Sequence, residues 1–357
     1  MSEEKMKLVT FEELKSLMKN KFMKAGLPEV HAEAVADHLA YADSRGVHSH
    51  GAVRVEYYSE RINKGGSNPN PNITFDQKSA SIGILDGDNA VGHYIAQLGT
   101  EKAIELAKAT GVGVVGMKRL GHCGTLSYFV RQATEQGLIM ISMCQSDPMV
   151  VLYGGAEPYF GTNPIAFGAP RKDGAPIIFD MATTVGAWGK ILDSRAKGKA
   201  IPADWAVDSN GAPTTDPNAV AGLVPIAGAK GSGLMMMVDI LCGALLGQPS
   251  GGSVSSMYAD LSAGRELGQI HIVLNPEFFA GLESFYGTIE KMVGEIHGMK
   301  PAEGFSKVQY PGERSDATFE KYQAAGIPIV EEIYDYLVSD DIHFDRYDGM
   351  DAFAKKD

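Results

Sequence analysis

A chain of 357 residues with 44% hydrophobic and 21% charged side chains has an ordinary globular composition, long enough for two substantial cores. Its formal net charge of -12 argues against a nucleic-acid or anionic-membrane surface, while leaving room for a local basic pocket that takes a small anion. Three cysteines, Cys123, Cys144 and Cys242, cannot all pair within the chain and show no C-x-x-C spacing, so neither a disulfide framework nor a zinc ribbon is supported and a reducing compartment is expected.

The N-terminal MSEEKMKLVTFEEL has no apolar signal core. The most apolar run, Leu234 to Leu246, contains Asp239 and is too short to span a bilayer, so the expected address is the cytoplasm. Thr10 followed by Glu13 predicts a capping box that opens a helix with Leu14, Leu17 and Met18 on one face, ending near Gly26. A second helix starts at Pro28, carries Ala32, Val35, Leu39 and Ala42 inward, and runs to Asp43. After the turn SRGVHSHG the pattern is helical again from about Ser49. His50, Arg54 and Tyr58 then fall at i, i+4 and i+8 and are expected along one side of that helix, a spacing that a solvated stripe would also show. A link rich in glycine and proline, Gly65 to Pro71, follows.

Ser81 to Leu85 reads as a strand, Gly92 to Ala109 as a helix and Val112 to Met117 as a strand. Next come a turn in which Gly121 and Gly124 bracket His122, a helix with Leu126, Phe129, Val130 and Ala133 at helical spacing, and a strand from Leu138 to Cys144. This alternation indicates an α/β domain. It delivers an imidazole to the end of a strand at the mouth of a helix, where open α/β sheets bind ligands. The flanking glycines leave room for a ligand to approach, and imidazole is the side chain best poised to move protons near neutral pH; the plain alternative is a loop histidine satisfied by its neighbours. Gly111, Gly113 and Gly116 spell G-x-G-x-x-G, but a helix precedes them and a strand follows. That is the reverse of the dinucleotide fingerprint, so an ordinary Rossmann domain is rejected.

The long segment QSDPMVVLYGGAEPYFGTNPIAF is expected to line the site. A strand from Ile177 to Phe179 ends at Asp180, whose carboxylate is a site candidate, and Thr183 or Thr184 is expected to cap the helix through Trp188 and Ile191. Asp208 to Pro217 is turn. Gly228 to Gly233, reading GAKGSG, runs into the apolar helix Leu234 to Leu246. Glycines and a lysine at a helix N-terminus can hold phosphate, although the spacing is not that of a nucleotide-hydrolysing P-loop, and a flexible loop entering a buried helix is the alternative. Beyond it lie a strand from Gln269 to Leu274, a mostly helical stretch from Pro276 to Ile296, a turn from Tyr310 to Arg314, two further helices, and a charged tail after Asp340 that is expected to be peripheral. His48, His50 and His122 could act as metal ligands, but no nearby acidic residue completes a familiar metal motif, so no metal is expected.

Together, RGVHSHGAVRVEYYSERI, the GH turn at His122, SMCQSDPMV, GGAEPYFGTNP, FDMATT, WAVDSNGAPTTDP and KGSGLMMMVDIL resemble the malate/L-lactate dehydrogenase family over nearly the whole chain to about Asp340. The resemblance implies a non-Rossmann NAD(P)-binding α/β domain, residues 76–225 with 301–340. It also implies a mainly helical substrate and oligomerisation domain built from separated segments, 1–75 with 226–300, and a tail at 341–357. HSHGAVRVEYY, SMCQSDPMV and VSSMYADL are most like bacterial members that oxidise (S)-ureidoglycolate to oxalurate in allantoin breakdown, with NAD as hydride acceptor. Malate, L-lactate or sulfolactate is the alternative substrate, since a few side chains separate such sites.

By the same likeness His122 would be the proton acceptor, and Arg54, Tyr58, His50 and Arg265 would hold the substrate. Ser146, Asp180, Met181, Ala182, Lys230, Gly312, Glu313 and Arg314 would contact NAD, and the protein would be a homodimer or higher homo-oligomer. Elementary chemistry agrees: hydride leaves a carbinol carbon as its hydroxyl proton is taken by a base, and a neighbouring carboxylate needs a fixed, planar cation. Cys123 departs from many relatives at the position after the histidine, and from Ile342 onward no motif is matched.

Overall fold

The computed structural model describes residues 5–350 and Phe353. Strand β1 (Met6–Val9) leads into α1 (Phe11–Ala25), which Thr10 caps by accepting the Glu13 N–H at 3.1 Å and Gly26 ends in a left-handed conformation. Helix α2 (Glu29–Ser44), two 3-10 turns (His48–His50 and Ala52–Arg54) and α3 (Val55–Asn63) follow. Leu14, Met18 and Phe22 of α1, Val35 and Leu39 of α2, and Val55 and Ile62 of α3 bury one another in a helical core.

The chain then builds β2 (Thr74–Gln77), β3 (Ile82–Ala90), α4 (Gly92–Thr110), β4 (Val112–Leu120), α5 (Ser127–Thr134) and β5 (Ile139–Cys144). Short strands β6 (Val150–Val151) and β7 (Pro158–Phe160) precede β8 (Ile165–Ala169) and β9 (Ile177–Met181). After α6 (Trp188–Ala196), β10 (Ala206–Val207) and β11 (Gly222–Leu223) come α7 (Ala229–Cys242), β12 (Leu267–Leu274) and α8 (Leu282–His297). Helix α9 (Glu313–Ala325), β13 (Ile327–Val330) and α10 (Glu331–Val338) complete the elements.

Among the described residues the main sheet has seven strands in the order β2-β3-β4-β12-β5-β8-β9, in which β3 and β4 pair in parallel and the other neighbours antiparallel. A Rossmann sheet is parallel throughout, so this is a different α/β architecture. Alternate strand residues face opposite layers. Met140, Ala166 and Ile178 pack with Ala103 of α4 and Phe129 of α5, whereas Met143 and Ile270 pack with Val238 and Cys242 of α7, and Ile177 with Val293 of α8. The G-x-G-x-x-G glycines serve this packing. Gly111 ends α4 at φ 87°, and a Cβ on Gly113 would lie 2.0 Å from the Ala103 carbonyl oxygen of the same helix.

The expected segment boundaries need correction in two places. Leu267–Leu274, grouped with the helical body by sequence, is an inner strand of the main sheet, because its alternating apolar residues match β4 on one side and β5 on the other. Conversely, β13 pairs antiparallel with β1, and Ile327, Ile329, Tyr336 and Leu337 join the N-terminal helical core. Helix α7 starts at Ala229, so Lys230 and the glycines after it form its first turns and not a loop before it. From Ala229 to Leu246, a longer stretch than the run Leu234 to Leu246, the chain is long and apolar enough to cross a bilayer by length and composition. The helix lies against the sheet, however, with Asp239 buried and accepting the Gly251 N–H at 3.0 Å.

Neither threonine caps α6. Thr183 donates its hydroxyl to the Thr162 carbonyl at 2.8 Å and Thr184 to the Gly186 carbonyl at 2.9 Å, while Ala187 occupies the cap position. The segment after Asp340 is not peripheral: Ile342 and Tyr347 pack against the helical core.

Candidate active site

The segment joining α2 to α3 is shaped by one buried carboxylate. Asp43 accepts the Ala52 N–H at 2.6 Å and binds His48 Nδ1 at 2.8 Å. Burial raises its pKa, against the His48 and Ala52 bonds that lower it. Gly51 passes so close that a Cβ would lie 2.2 Å from the Asp43 carboxylate. The single helix expected from Ser49 is therefore broken into two 3-10 turns, and α3 begins only at Val55. His50, Arg54 and Tyr58 nevertheless converge on His122. The His50 ring lies 6.0 Å from the His122 ring at 22°, and Tyr58 Oη lies 2.6 Å from His122 Nδ1. Arg54 donates from Nε to the Ser49 carbonyl at 2.8 Å and from Nη1 to Tyr258 Oη at 3.0 Å.

His122 itself sits in the turn between β4 and α5, as its glycine brackets suggest. Gly124 has φ 79°, and a Cβ there would lie 2.3 Å from His38 Nε2 and 3.0 Å from His93 Nε2. His38 Nε2 accepts the Thr125 N–H at 2.9 Å. Asp180 accepts the Thr125 hydroxyl at 2.7 Å and the Ser127 N–H at 2.8 Å, so its carboxylate anchors the turn after His122 rather than the imidazole itself. The Gly124 N–H makes a longer contact to His122 Nδ1, 3.3 Å.

Burial dominates the electrostatics here. It drives the pKa of His122 well below the ordinary imidazole value, with the charges of His50, Arg54, His93 and Arg265 acting in the same direction. Burial, then Arg54, lowers His50 to about 4, and burial, then His50, lowers His93 to about 3. Tyr58 is pushed well above its usual value by burial, which Arg54 partly offsets. At neutral pH the site thus holds neutral imidazoles and a neutral phenol beside the guanidinium of Arg54.

Arg265 is 2% exposed and holds a loop: Nε donates to Ser255 Oγ at 3.0 Å, Nη2 to the Ser255 carbonyl at 2.7 Å, and Asp147 Oδ1 lies 3.5 Å from Nη2. Its buried Nη1 has no hydrogen-bond partner among the described residues. Asp147 in turn accepts the Met257 N–H at 3.1 Å, next to Tyr258.

The residues expected at the cofactor lie along β9 and the segments bonded to it. Ser146 Oγ accepts the Thr162 N–H at 2.8 Å, Thr183 N–H donates to the Thr162 carbonyl at 2.9 Å, and Ile226 N–H donates to the Thr183 carbonyl at 3.0 Å, which brings the start of α7 beside Asp180, Met181 and Ala182. At the other end, Ile178 N–H donates to the Pro311 carbonyl at 3.0 Å and sets Gly312 against the strand. Lys230 and Arg314 are exposed. Glu313 is occupied by the turn itself, accepting the Tyr310 N–H at 2.9 Å and pairing with His297 Nε2 at 2.8 Å.

His48 is engaged by Asp43 and lies against the Tyr322 ring. Among the described residues no group of three or more His, Cys, Asp or Glu side chains is arranged to hold a metal ion. Cys123 and Cys144 are buried free thiols with Sγ atoms 3.9 Å apart. Sequence reasoning missed Tyr258, Asp43, His38 and His93, whose partners lie 204, 9, 87 and, for the His93–Tyr58 ring pair at 5.0 Å, several elements away.

Comparison with known proteins adds three findings. A family model described as malate/L-lactate dehydrogenase matches residues 9–338. The chain is 53% identical to the ureidoglycolate dehydrogenase (NAD(+)) of Escherichia coli O157:H7, over 97% of this chain and 99% of that one. Among solved structures it is similar to the malate dehydrogenase of Pyrococcus horikoshii OT3, with TM-score 0.84, 34% identity and 94% of each chain covered. It is likewise similar to the sulfolactate dehydrogenase of Methanocaldococcus jannaschii, with TM-score 0.86, 34% identity and 93% and 95% covered.

Proposed function

Since this chain belongs to the malate/L-lactate dehydrogenase family, we propose that it oxidises (S)-ureidoglycolate to oxalurate with NAD as the hydride acceptor. The observation that carries this reading is the convergence of His122, Tyr58, His50 and Arg54 at one place in a chain 53% identical to a relative of that name. Arg54 pairs with the substrate carboxylate, and its guanidinium is already aimed by Ser49 and Tyr258. His122 is neutral and so able to accept the hydroxyl proton. In the tautomer that carries its own proton on Nδ1 and donates it to Tyr58 Oη at 2.6 Å, in place of the longer 3.3 Å contact with the Gly124 N–H, the lone pair of Nε2 is free for that transfer. A bound nicotinamide would supply the hydride acceptor for the carbinol carbon that this arginine and imidazole orient.

The residues available for a dinucleotide fit its charge. Lys230 in the first turn of α7, the N–H groups of that turn and exposed Arg314 suit a diphosphate, while Ser146, Asp180, Met181, Ala182 and Gly312 line the neighbouring strand and loops. Glu313, committed to Tyr310 and His297, would shape its loop and leave NAD to its neighbours. Arg265 acts on the substrate pocket through the Ser255 loop and its charge.

This substrate assigns the enzyme to allantoin degradation in purine metabolism, in a cytoplasm that keeps its three cysteines reduced. A homodimer is supported by the apolar face that α7 and the turn after it leave uncovered, with Met236, Met237, Ile240 and Leu245 between 39% and 62% exposed. The likeness to malate and sulfolactate dehydrogenases makes other 2-hydroxy acids the second reading.

The test is NADH or NADPH formation by the purified protein with freshly made (S)-ureidoglycolate, malate, L-lactate and sulfolactate. Turnover confined to ureidoglycolate with NAD supports the proposal, turnover with another acid moves the substrate, and no turnover with any acid and either cofactor overturns it.

A further inference from the structure

The family model ends at Val338, yet the chain beyond it reaches back to the residue that holds Arg54. Glu60, fully buried on α3, accepts three consecutive backbone N–H groups from this segment: Arg346 at 3.1 Å, Tyr347 at 3.2 Å and Asp348 at 3.1 Å. Lys64 joins Glu60 and Asp345, each at 2.9 Å. A carboxylate committed to three amides and an ammonium fixes the backbone it binds. The result is a strap with Tyr347 at its centre.

Tyr347 is stacked on Tyr258, with ring centroids 6.1 Å apart at 21°, and meets Tyr57 edge-on at 5.7 Å and 80°. Gly349 N–H donates to the Tyr258 carbonyl at 2.8 Å, and Leu261 N–H donates to Asp348 at 2.8 Å. Tyr258 is thus gripped by the strap on its ring and backbone, and its hydroxyl is what receives Arg54 Nη1–H. The strap also supplies Gly349 and Met350 to the wall of a cavity of about 480 Å³, whose other lining includes Asp147, Pro148 and Ser256.

We infer that residues 342–350 position the carboxylate-binding arginine: Glu60 fixes the strap, Tyr347 fixes Tyr258, and Tyr258 sets the guanidinium of Arg54. The role of Arg54 rests on the function proposed above, whereas the mechanical coupling does not. Because the strap lies outside the stretch matched by the family model, it is an element through which this chain tunes substrate preference while keeping the shared chemistry around His122.

The experiment compares Tyr258→Phe, Tyr347→Ala and Tyr347→Phe with wild type in two measurements: steady-state kinetics with ureidoglycolate and NAD, and amide hydrogen exchange of residues 47–54 and 256–261. Tyr258→Phe and Tyr347→Ala are each expected to raise the KM for ureidoglycolate about tenfold, with kcat changed less and the KM for NAD unchanged. Tyr347→Phe keeps the stacked ring and restores wild-type KM. The two harmful changes are expected to be non-additive when combined, since they act through one contact. Tyr347→Ala is also expected to speed exchange at Arg54 and Ala52, whose N–H groups bond to Gly51 and Asp43. Wild-type KM in both variants, or unchanged exchange across 47–54 and 256–261, would overturn the inference. If the wild-type protein has no activity on ureidoglycolate, the proposed substrate fails, and the exchange measurement alone still decides whether the strap holds Arg54.

Discussion

The Tyr58 hydroxyl lies 2.6 Å from His122 Nδ1, across 64 residues of sequence and from one body of the fold to the other. That contact fixes the imidazole plane and, with the proton on Nδ1, leaves Nε2 ready to receive another. Tyr58→Phe retains the ring packing and removes only this partner. It is expected to lower kcat by about tenfold or more while leaving NADH affinity, followed by fluorescence titration, unchanged.

Arg54 uses its planar fork to reach the Ser49 carbonyl and the Tyr258 hydroxyl together. A lysine carries the same charge without that geometry. Arg54→Lys is therefore expected to raise the KM for the 2-hydroxy acid by about 10- to 100-fold with a smaller fall in kcat, and initial-rate kinetics at saturating NAD measure the split.

Gly124 and Gly154 separate backbone strain from steric conflict. Both have left-handed backbones, at φ 79° and 84°, but a Cβ on Gly154 meets nothing within 4 Å whereas one on Gly124 collides with His38 and His93. Gly154→Ala is expected to cost about 1 kcal/mol and Gly124→Ala roughly 2–4 kcal/mol, with turnover lost only in the latter; urea unfolding at pH 7.5 gives both values.

The buried and half-buried histidines oppose stability in acid. Burial is the leading cause that lowers His38, His50, His93, His122 and His271, so the unfolded chain binds protons that the folded chain refuses between about pH 6.5 and the depressed values. Their stabilising contribution is complete above pH 6.5 and is lost as pH falls through the folded pKa values, about 4 for His50 and about 3 for His93 and His271. The carboxyls of Asp43, Asp180 and Asp239, raised chiefly by burial, act in the opposite sense above their ordinary pKa of 3.8. The urea midpoint is expected to be nearly flat from pH 8 to 7 and to fall from pH 6.5 to 4.5. A midpoint that rises over that interval would show that the carboxyls dominate. On the same grounds, kcat/KM should show no inflection near pH 6.5 from His122.

Much of this site was legible where chemistry is local. The glycine brackets mark His122 between β4 and α5, the spacing of His50, Arg54 and Tyr58 marks one group, and the reversed helix–strand order alone excludes a Rossmann domain. The illegible parts depend on distant partners. Periodicity carried a single helix through Gly51 because nothing in the turn reveals that Asp43 captures the Ala52 N–H. The apolar alternation of Leu267–Leu274 marks a strand without telling which strands flank it, and β13 needs β1, more than 300 residues away, to declare its place. Tyr347 sits in a charged tail whose composition reads as solvated, and the backbone there is held by distant partners, the Glu60 carboxylate first among them.

The role of His122 as proton acceptor is tested most directly by His122→Ala, assayed with (S)-ureidoglycolate and NAD and titrated in parallel with NADH. Turnover is expected to fall about 10²-fold or more with NADH binding retained, as removal of a general base requires. Turnover at or near the wild-type rate would contradict His122 as the proton acceptor and return the site to an unassigned base.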